Sequence, residues 1–71
     1  MAESVYKVIE LVGTSDESWE RAAAAAVERA GQTLRNLCIA EVVEQDMQIE
    51  DAKVSAYRIK IKVSFKFEDE G

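Results

Sequence analysis

VSAYRIKIKVSFKF, residues 54–67, decides the fold of this chain, because apolar and polar side chains alternate along it. The apolar residues are Tyr57, Ile59, Ile61, Val63, Phe65 and Phe67, and the polar ones are Arg58, Lys60, Lys62, Ser64 and Lys66. This alternation predicts a β-strand with one buried face, since a helical period of about 3.6 would spread the apolar groups around the whole cylinder. At about 3.4 Å per residue the strand would reach roughly 45 Å. The rest of the chain must therefore cover one long apolar face.

Three further elements precede this strand. Residues 5–12 (VYKVIELV) are rich in β-branched residues and predict a first strand that ends at Gly13. Residues 16–34 predict a helix with Ser15 as its N-cap, and residues 38–49 predict a second strand. The short polar stretch 50–53 predicts a hairpin into the last strand. Apolar residues that recur at spacings of three and four predict which side of the helix is packed. This stripe consists of Trp19, Ala22, Ala23, Ala26, Val27, Ala30, Leu34 and, past the helix end, Leu37.

Pairing of Ile49 with Val54 sets the expected register of the hairpin. One face of the sheet would then carry Ile39, Glu41, Val43 and Gln45 beside Arg58, Lys60 and Lys62. The other face, towards the helix, would carry Cys38, Ala40, Val42, Glu44 and Asp46 beside Tyr57, Ile59 and Ile61. In this register Cys38 is expected to be a buried, inert thiol. Met47 would lie with Ile39 and Val43 on the face away from the helix.

The elements together predict an α+β protomer of order β-α-β-β, in which a three-stranded antiparallel sheet wraps around one helix. A helix over residues 16–34 reaches about 28 Å, whereas the long hairpin extends roughly 40 Å or more. The helix cannot cover the apolar face along its whole length, so the protomer is expected to assemble with copies of itself. The expected interface residues are Tyr6, Ile39, Val43 and Met47.

Composition also favours assembly. Seventy-one residues make a single domain, residues 1–71, near the lower limit for folding around a private core. Chains this small usually need disulfides, a metal or partner subunits for stability. With Cys38 as the one cysteine and no histidine, an internal disulfide and a tetrahedral zinc site within one chain are excluded. Partner subunits are the remaining means of stabilisation.

The charge balance argues against two classes of partner. A formal net charge of −5 argues against nucleic-acid binding and against binding to an anionic membrane surface. The segment MAESVYKVIE lacks the basic and apolar regions of a secretion signal, and no apolar run approaches the roughly 20 residues that span a bilayer. We therefore expect a cytoplasmic protein. The basic residues of the last strand are expected to pair with carboxylates across the sheet, such as Glu41, rather than to bind RNA or another anion.

Motifs for catalysis are missing from the sequence. Without histidine there is no Ser-His or Cys-His pair, and the three glycines form neither a P-loop nor a dinucleotide fingerprint. The chain is therefore expected not to be an enzyme, and no catalytic residue is assigned. The carboxylates Glu41, Glu44 and Asp46 are candidate ligands for a hard cation such as calcium. Because their spacing is not that of an EF-hand, a site would form only where they are repeated around a symmetry axis.

Several segments carry a family resemblance: VYKVIELVGTS in the first strand, SWE, AVERA and TLRN in the helical region, AEVVEQ in the second strand and YRIKIKVSF in the third. Together they resemble the dodecins, small bacterial and archaeal proteins named for their assembly of twelve identical subunits. The resemblance covers nearly the whole chain. It implies a β-α-β-β protomer whose sheet wraps the helix, and a hollow homododecamer of cubic symmetry.

The resemblance also implies a ligand pocket between subunits. Flavin-binding dodecins hold pairs of isoalloxazine rings there, with a tryptophan just before the Ala-Glu-Val or Phe-Glu-Val of strand two and a glutamine just after the tyrosine of strand three. This chain has Ile39 and Arg58 at those positions. Ile39 offers no π-face for stacking, and Arg58 donates hydrogen bonds without accepting them. Cys38, Glu44 and Gln45 stay usable for polar or backbone contacts in a flavin-type pocket.

Three functions stay open on the sequence alone. The leading hypothesis is a non-catalytic, dodecin-like shell for binding or storage of a small ligand, with a weakened flavin pocket and with uptake of a cation. Resemblance to dodecins that lack the aromatic residue implies calcium as that cation. The second hypothesis is flavin binding, of riboflavin or FMN, with Arg58 on the ring edge or the phosphate. The third is a structural or carrier particle without a dedicated ligand.

Overall fold

The fold is a three-stranded antiparallel sheet with one helix packed on it. The computed structural model describes residues 3–66. Strand β1 (Tyr6–Ser15) leads to helix α1 (Trp19–Thr33), which is followed by strands β2 (Leu37–Glu50) and β3 (Lys53–Lys66). The strand order is β1-β3-β2, so β3 is central and pairs with an antiparallel neighbour on each side. The predicted α+β class and β-α-β-β order are confirmed.

The alternating stretch of sequence forms the central strand. Its residues Ile59, Ile61 and Val63 lie in the core and are between 1% and 4% exposed. Arg58 and Lys62, on the other face of the strand, are exposed. The alternation thus separates a helix-facing side from a solvent-facing side, as predicted. Phe67, which the sequence pattern assigns to the same strand, lies outside the described residues.

Small side chains let the helix lie close to the sheet. Ala22, Ala26 and Ala30 are buried, and Trp19 and Val27 are partly buried beside the core, which confirms the predicted stripe. The helix packs mainly on β1 and β3, and every residue of β2 after the first is exposed. Within residues 3–66, no helix has the length and apolar character needed to cross a membrane.

The helix begins later than predicted, and its N-cap is Ser18 rather than Ser15. The Ser18 hydroxyl accepts a hydrogen bond from the Arg21 backbone N–H at 3.0 Å, three residues ahead, as an N-cap does. Ser15 is the last residue of β1, and its hydroxyl accepts from the Glu17 backbone N–H at 2.9 Å. At the other end the C-cap is Leu34. Leu37, placed past the helix end by the stripe, is the first residue of β2.

Strand β1 was predicted to end at Gly13, but it continues to Ser15. Gly13 is buried and pairs with Ile59 of the central strand. A Cβ atom at this position would lie 2.2 Å from the carbonyl oxygen of Ala22 and 3.1 Å from the Cβ of Ala26. Glycine is required here because the helix backbone approaches the strand closely, not because the chain turns.

The hairpin between β2 and β3 closes through a two-residue turn. Asp51 and Ala52 have φ angles of 52° and 63°, the left-handed pair that matches the twist of a hairpin. The predicted pair of Ile49 with Val54 is present. Immediately beyond it, the register shifts because Ser55 is an extra residue in β3, and a second shift at Val43 in β2 restores the predicted register.

Between these two shifts the residues of β2 lie on the faces opposite to those predicted. The observed pairs are Glu44–Lys60, Gln45–Ile59, Asp46–Arg58 and Met47–Tyr57. Glu44 and Asp46 therefore lie on the face away from the helix, and Gln45 and Met47 lie on the helix side. The prediction was wrong here because it assumed one continuous register, and a slip of one residue exchanges the two faces.

Cys38 is exposed, so the prediction of a buried thiol was wrong. It lies at a third register shift, between Leu37 and Ile39. Its Sγ donates to the backbone carbonyl oxygen of Asn36 at 3.3 Å. The prediction assumed that the helix extends over β2, whereas the helix packs mainly on the other two strands.

Replacing Gly13 with alanine is expected to destabilise the protein by about 1–3 kcal/mol, because the new Cβ would collide with a backbone oxygen that cannot rotate away. Gly31→Ala is the matched control, since the nearest atom to a Cβ there is 3.8 Å away. Alanine is also favoured by about 1 kcal/mol inside a helix. Chemical unfolding at one fixed protomer concentration compares the two variants. A Gly13→Ala protein as stable as the wild type would contradict the close approach of helix and strand.

Candidate ligand-binding face of the sheet

The candidate site lies on the sheet face that is turned away from the helix, which we call the outer face. Basic residues of β3 form its middle column, between residues of β1 and β2. The rows across the three strands are Thr14–Arg58–Asp46, Val12–Lys60–Glu44 and Glu10–Lys62–Glu41. Arg58, Lys60 and Lys62 thus each have a carboxylate beside them on β2.

The strongest contact on the outer face joins Arg58 and Asp46. Arg58 donates from Nε to Oδ1 at 2.8 Å and from Nη2 to Oδ2 at 2.9 Å, so it engages both carboxylate oxygens. The hydrogen bonds from Arg58, and then the positive charges of Arg58 and Lys60, hold the pKa of Asp46 below its ordinary value. The same bonds raise the pKa of Arg58. Both side chains are about half exposed, so solvent screens part of this attraction.

A weaker ion pair lies in the next row. Lys60 Nζ is 3.7 Å from Glu44 Oε1, and the Glu44 side chain is 66% exposed, so this pair contributes a few tenths of a kcal/mol. Ion pairing across the sheet was predicted and is present. The partners on β2 are Asp46 and Glu44, however, whereas Glu41 forms no ion pair within residues 3–66.

The cavity at these two pairs is small. Its volume is about 90 Å³, and its lining includes Val12 and Arg58. Pockets that enclose small organic ligands usually have volumes of about 300–1,000 Å³. One protomer therefore does not enclose a ring-sized ligand at this position.

The five residues predicted for a flavin-type pocket do not converge within one protomer. Ile39, Glu44 and Arg58 lie on the outer face, but Ile39 pairs with Ser64, far along the sheet from Arg58. Gln45 lies on the helix side. Cys38 and Ile39 line a separate cavity of about 160 Å³ beside Val27.

The candidate cation ligands share a face without forming a cluster. Glu41, Glu44 and Asp46 all lie on the outer face. Among the described residues, no group of three carboxylate or thiol side chains lies close enough to hold a metal ion. A cation held by these residues would need carboxylates from more than one copy of the chain.

The predicted interface residues are exposed. Tyr6, Ile39, Val43 and Met47 are between 40% and 66% exposed in the protomer. They do not share one surface, because Met47 lies on the helix side whereas Ile39 lies on the outer face. Their role as an interface stays a prediction.

Trp19 links the helix start to Asp46, a contact that sequence reasoning missed. Its ring packs edge-on against Tyr57, with centroids 5.1 Å apart, as the packing role predicted for Trp19 requires. Its Nε1 also donates to the backbone carbonyl oxygen of Asp46 at 3.0 Å. The Arg58–Asp46 pair was missed too. The two-residue spacing shared by Glu44/Asp46 and Arg58/Lys60 was the available signal.

The described features define a class of small α+β protomers in which a long β-hairpin extends past a single short helix and exposes apolar side chains. The sequence model of the dodecin family matches residues 5–68. The chain belongs to the dodecin family.

Relatives and solved structures agree with this assignment. The chain is 54% identical over 63 residues to the calcium dodecin of Mycobacterium tuberculosis, with 89% of each chain covered. It is 46% identical over 65 residues to the dodecin of Thermus thermophilus, covering 92% of this chain and 94% of that one. The structure of dodecin from Streptomyces coelicolor superposes with a TM-score of 0.92 at 40% identity, over 99% of this chain and all of that one. The structure of the Mycobacterium tuberculosis protein, described as calcium chelating with a novel calcium-binding site, gives 0.82 at 50% identity, over 96% and 97%.

The Arg58–Asp46 pair makes a pH-dependent contribution to stability. Because the pKa of Asp46 is lowered in the folded state, the contribution is present above the ordinary aspartate pKa and is lost as the pH falls through the lowered value. In Arg58→Gln the Asp46 carboxyl is expected to titrate at a higher pH than in the wild type, near its ordinary value. Lys60→Gln is the control, with a smaller rise. NMR shifts of the Asp46 carboxyl carbon measure this, and equal pKa values in the wild type and Arg58→Gln would contradict the pairing.

Proposed function

We propose that this chain is the protomer of a hollow homododecamer that binds a small ligand or cation and carries out no catalysis. In this proposal its flavin pocket is weakened, and calcium is the cation that it takes up. The observation that carries the proposal is membership of the dodecin family together with 54% identity to a calcium dodecin. The sequence has no histidine to act as a general base or nucleophile activator, which favours binding over catalysis.

Exposed apolar surface supports assembly. Within residues 3–66, ten large hydrophobic residues are at least 40% exposed, nine of them in the three strands and one just before β1: Val5, Tyr6, Val8, Val12, Ile39, Val42, Val43, Met47, Ile49 and Val54. These residues lie on both faces of the sheet, and soluble monomers rarely leave large apolar patches exposed to water. The core of the protomer is correspondingly small, with six buried hydrophobic residues in the described part of the chain. Contacts between copies would add the burial that the protomer lacks.

Two side chains support a weakened flavin pocket. Ile39 is aliphatic where the family pattern has the stacking tryptophan, and stacking on an aromatic ring contributes about 1–3 kcal/mol per base in nucleic-acid complexes. Two such losses per ligand pair amount to about 2–6 kcal/mol, or roughly 30-fold to 10⁴-fold in affinity. Arg58 has its guanidinium held by Asp46, so contact with a flavin ring edge would cost part of that pair.

Restoring both family residues is expected to restore flavin affinity. Ile39→Trp together with Arg58→Gln should tighten riboflavin binding by at least about tenfold, because the ring regains a stacking face and the pocket regains an acceptor. Quenching of riboflavin fluorescence measures the affinity, and each single variant separates the two effects. Sub-micromolar affinity of the wild-type protein for riboflavin or FMN would contradict the weakened pocket and favour flavin binding as the function.

The outer-face carboxylates support a cation site shared between copies. Calcium takes six to eight oxygen ligands, more than one protomer offers at any point of this face. Glu41 forms no ion pair within residues 3–66, and Glu44 is held through one oxygen at 3.7 Å. Asp46 is the least available of the three, because Arg58 engages both of its oxygens. Glu41 and Glu44 are therefore the ligands that we favour.

Calcium titration by calorimetry tests the cation site. Glu41→Gln and Glu44→Gln should each lower calcium affinity by about tenfold or more, because each removes one charged oxygen ligand per copy. Glu28→Gln is the matched control, since Glu28 is exposed on the helix and absent from the outer face. Absence of both binding heat and bound calcium in elemental analysis would overturn the proposed cation and favour a carrier particle without a dedicated ligand.

A further inference from the structure

A groove runs between β1 and one side of the helix. Its volume is about 570 Å³, against about 160 and 90 Å³ for the two cavities on β2 and the outer face. Ile9 and Leu11 of β1 form one side, and Ala26, Ala30 and Leu34 form the other. The apolar surface inside this groove has the size and chemistry to receive several aliphatic side chains.

One basic side chain lines this groove. Arg29 is among the residues that line it, is exposed, and forms no ion pair within residues 3–66. By contrast, Arg21 on the same helix pairs with Glu17 at 3.6 Å. An unpaired guanidinium beside an apolar groove matches an occupant that has aliphatic side chains followed by a carboxylate.

The tip of the β2–β3 hairpin has these properties. Met47, Ile49 and Val54 lie on the helix side of the sheet and are 44%, 64% and 46% exposed. Within the described residues the tip carboxylates of Glu50 and Asp51 form no ion pair, and the two-residue turn holds them in a defined position. Apolar side chains and carboxylates are thus presented together at the tip of the hairpin.

A hairpin tip cannot reach the groove of its own chain. The last residue of β1, Ser15, pairs with Tyr57, so the hairpin tip extends beyond the end of β1. Met47 pairs with Tyr57 on the other side, and Asp51 is four residues further along β2. At about 3.4 Å per residue, Asp51 lies roughly 14 Å past that point, and paired strands do not fold back. The occupant that fits is therefore the hairpin tip of a second copy.

We infer that the hairpin tip of one copy packs into the groove between β1 and the helix of a neighbouring copy, with Asp51 or Glu50 beside Arg29. This inference rests on the proposed assembly and specifies one of its contacts. Tip and groove are different surfaces, so each copy inserts its tip into the groove of one neighbour and accepts the tip of another neighbour in its own groove. Head-to-tail contacts form rings where the rotation between copies closes, which is the geometry that a closed shell requires.

Directed cross-linking tests the contact. In a Cys38→Ser background, which removes the native thiol, the full chain carries both Arg29→Cys and Asp51→Cys and is treated with a short bis-maleimide. A ladder of species larger than a dimer is expected on a denaturing gel, because every copy both gives and receives a tip. Glu28→Cys with Asp51→Cys is the matched control, since Glu28 precedes Arg29 but does not line the groove, and it should give at least about fivefold less cross-linked product.

Charge reversal provides a second readout. Arg29→Asp and Asp51→Arg alone should each raise the protomer concentration at half-assembly by about threefold or more, and their combination should return it towards the wild-type value. Light scattering on the same samples separates the outcomes. An assembled particle without a ladder and without charge-reversal rescue overturns this contact, leaves the proposed assembly standing, and assigns the groove to another occupant such as a small anionic ligand. A monomer overturns both.

Discussion

The structure depends on a mismatch of lengths between one helix and the hairpin that it should cover. A helix of 15 residues is about 22 Å long, whereas a strand of 14 residues is about 48 Å long. The helix lies on β1 and β3, so the second strand and the hairpin tip keep their apolar side chains in water. Within residues 3–66, no further helix or strand is available to cover them.

The packing of the helix on β1 and β3 determines which surfaces of the sheet remain exposed. Buried alanines and Gly13 bring the helix backbone against β1, and this close contact leaves β2 uncovered. The outer face is then free to carry a column of basic residues with carboxylates beside it. Trp19 connects the two sides, because it packs on Tyr57 on the helix side while it donates to the backbone of Asp46. The position of the helix and the geometry of the charged face are therefore coupled.

Much of this fold could be predicted from the sequence, because hydrophobic periodicity reports burial directly. The alternation around Ile59 and Ile61 located the central strand, and the alanine stripe located the buried side of the helix. The register of the hairpin could not be predicted beyond its turn, since the extra residues Ser55 and Val43 compensate each other and leave no mark on hydrophobicity. The prediction of Ser15 rather than Ser18 as N-cap was wrong because both serine hydroxyls accept a hydrogen bond from a nearby backbone amide.

The candidate site was less predictable than the fold. The resemblance to dodecins showed that Ile39 and Arg58 differ from the residues of the family pattern. The partner of Arg58 could not be predicted, because it depends on a register shift that exchanges the faces on which Glu44 and Asp46 lie.

The size of the assembly tests the central claim most directly. Light scattering at micromolar protomer concentration should give a particle of about 95 kDa, twelve times the 7.9 kDa of one chain. A well-folded, stable monomer of 7.9 kDa would contradict the account, because the exposed hairpin would then need no partner.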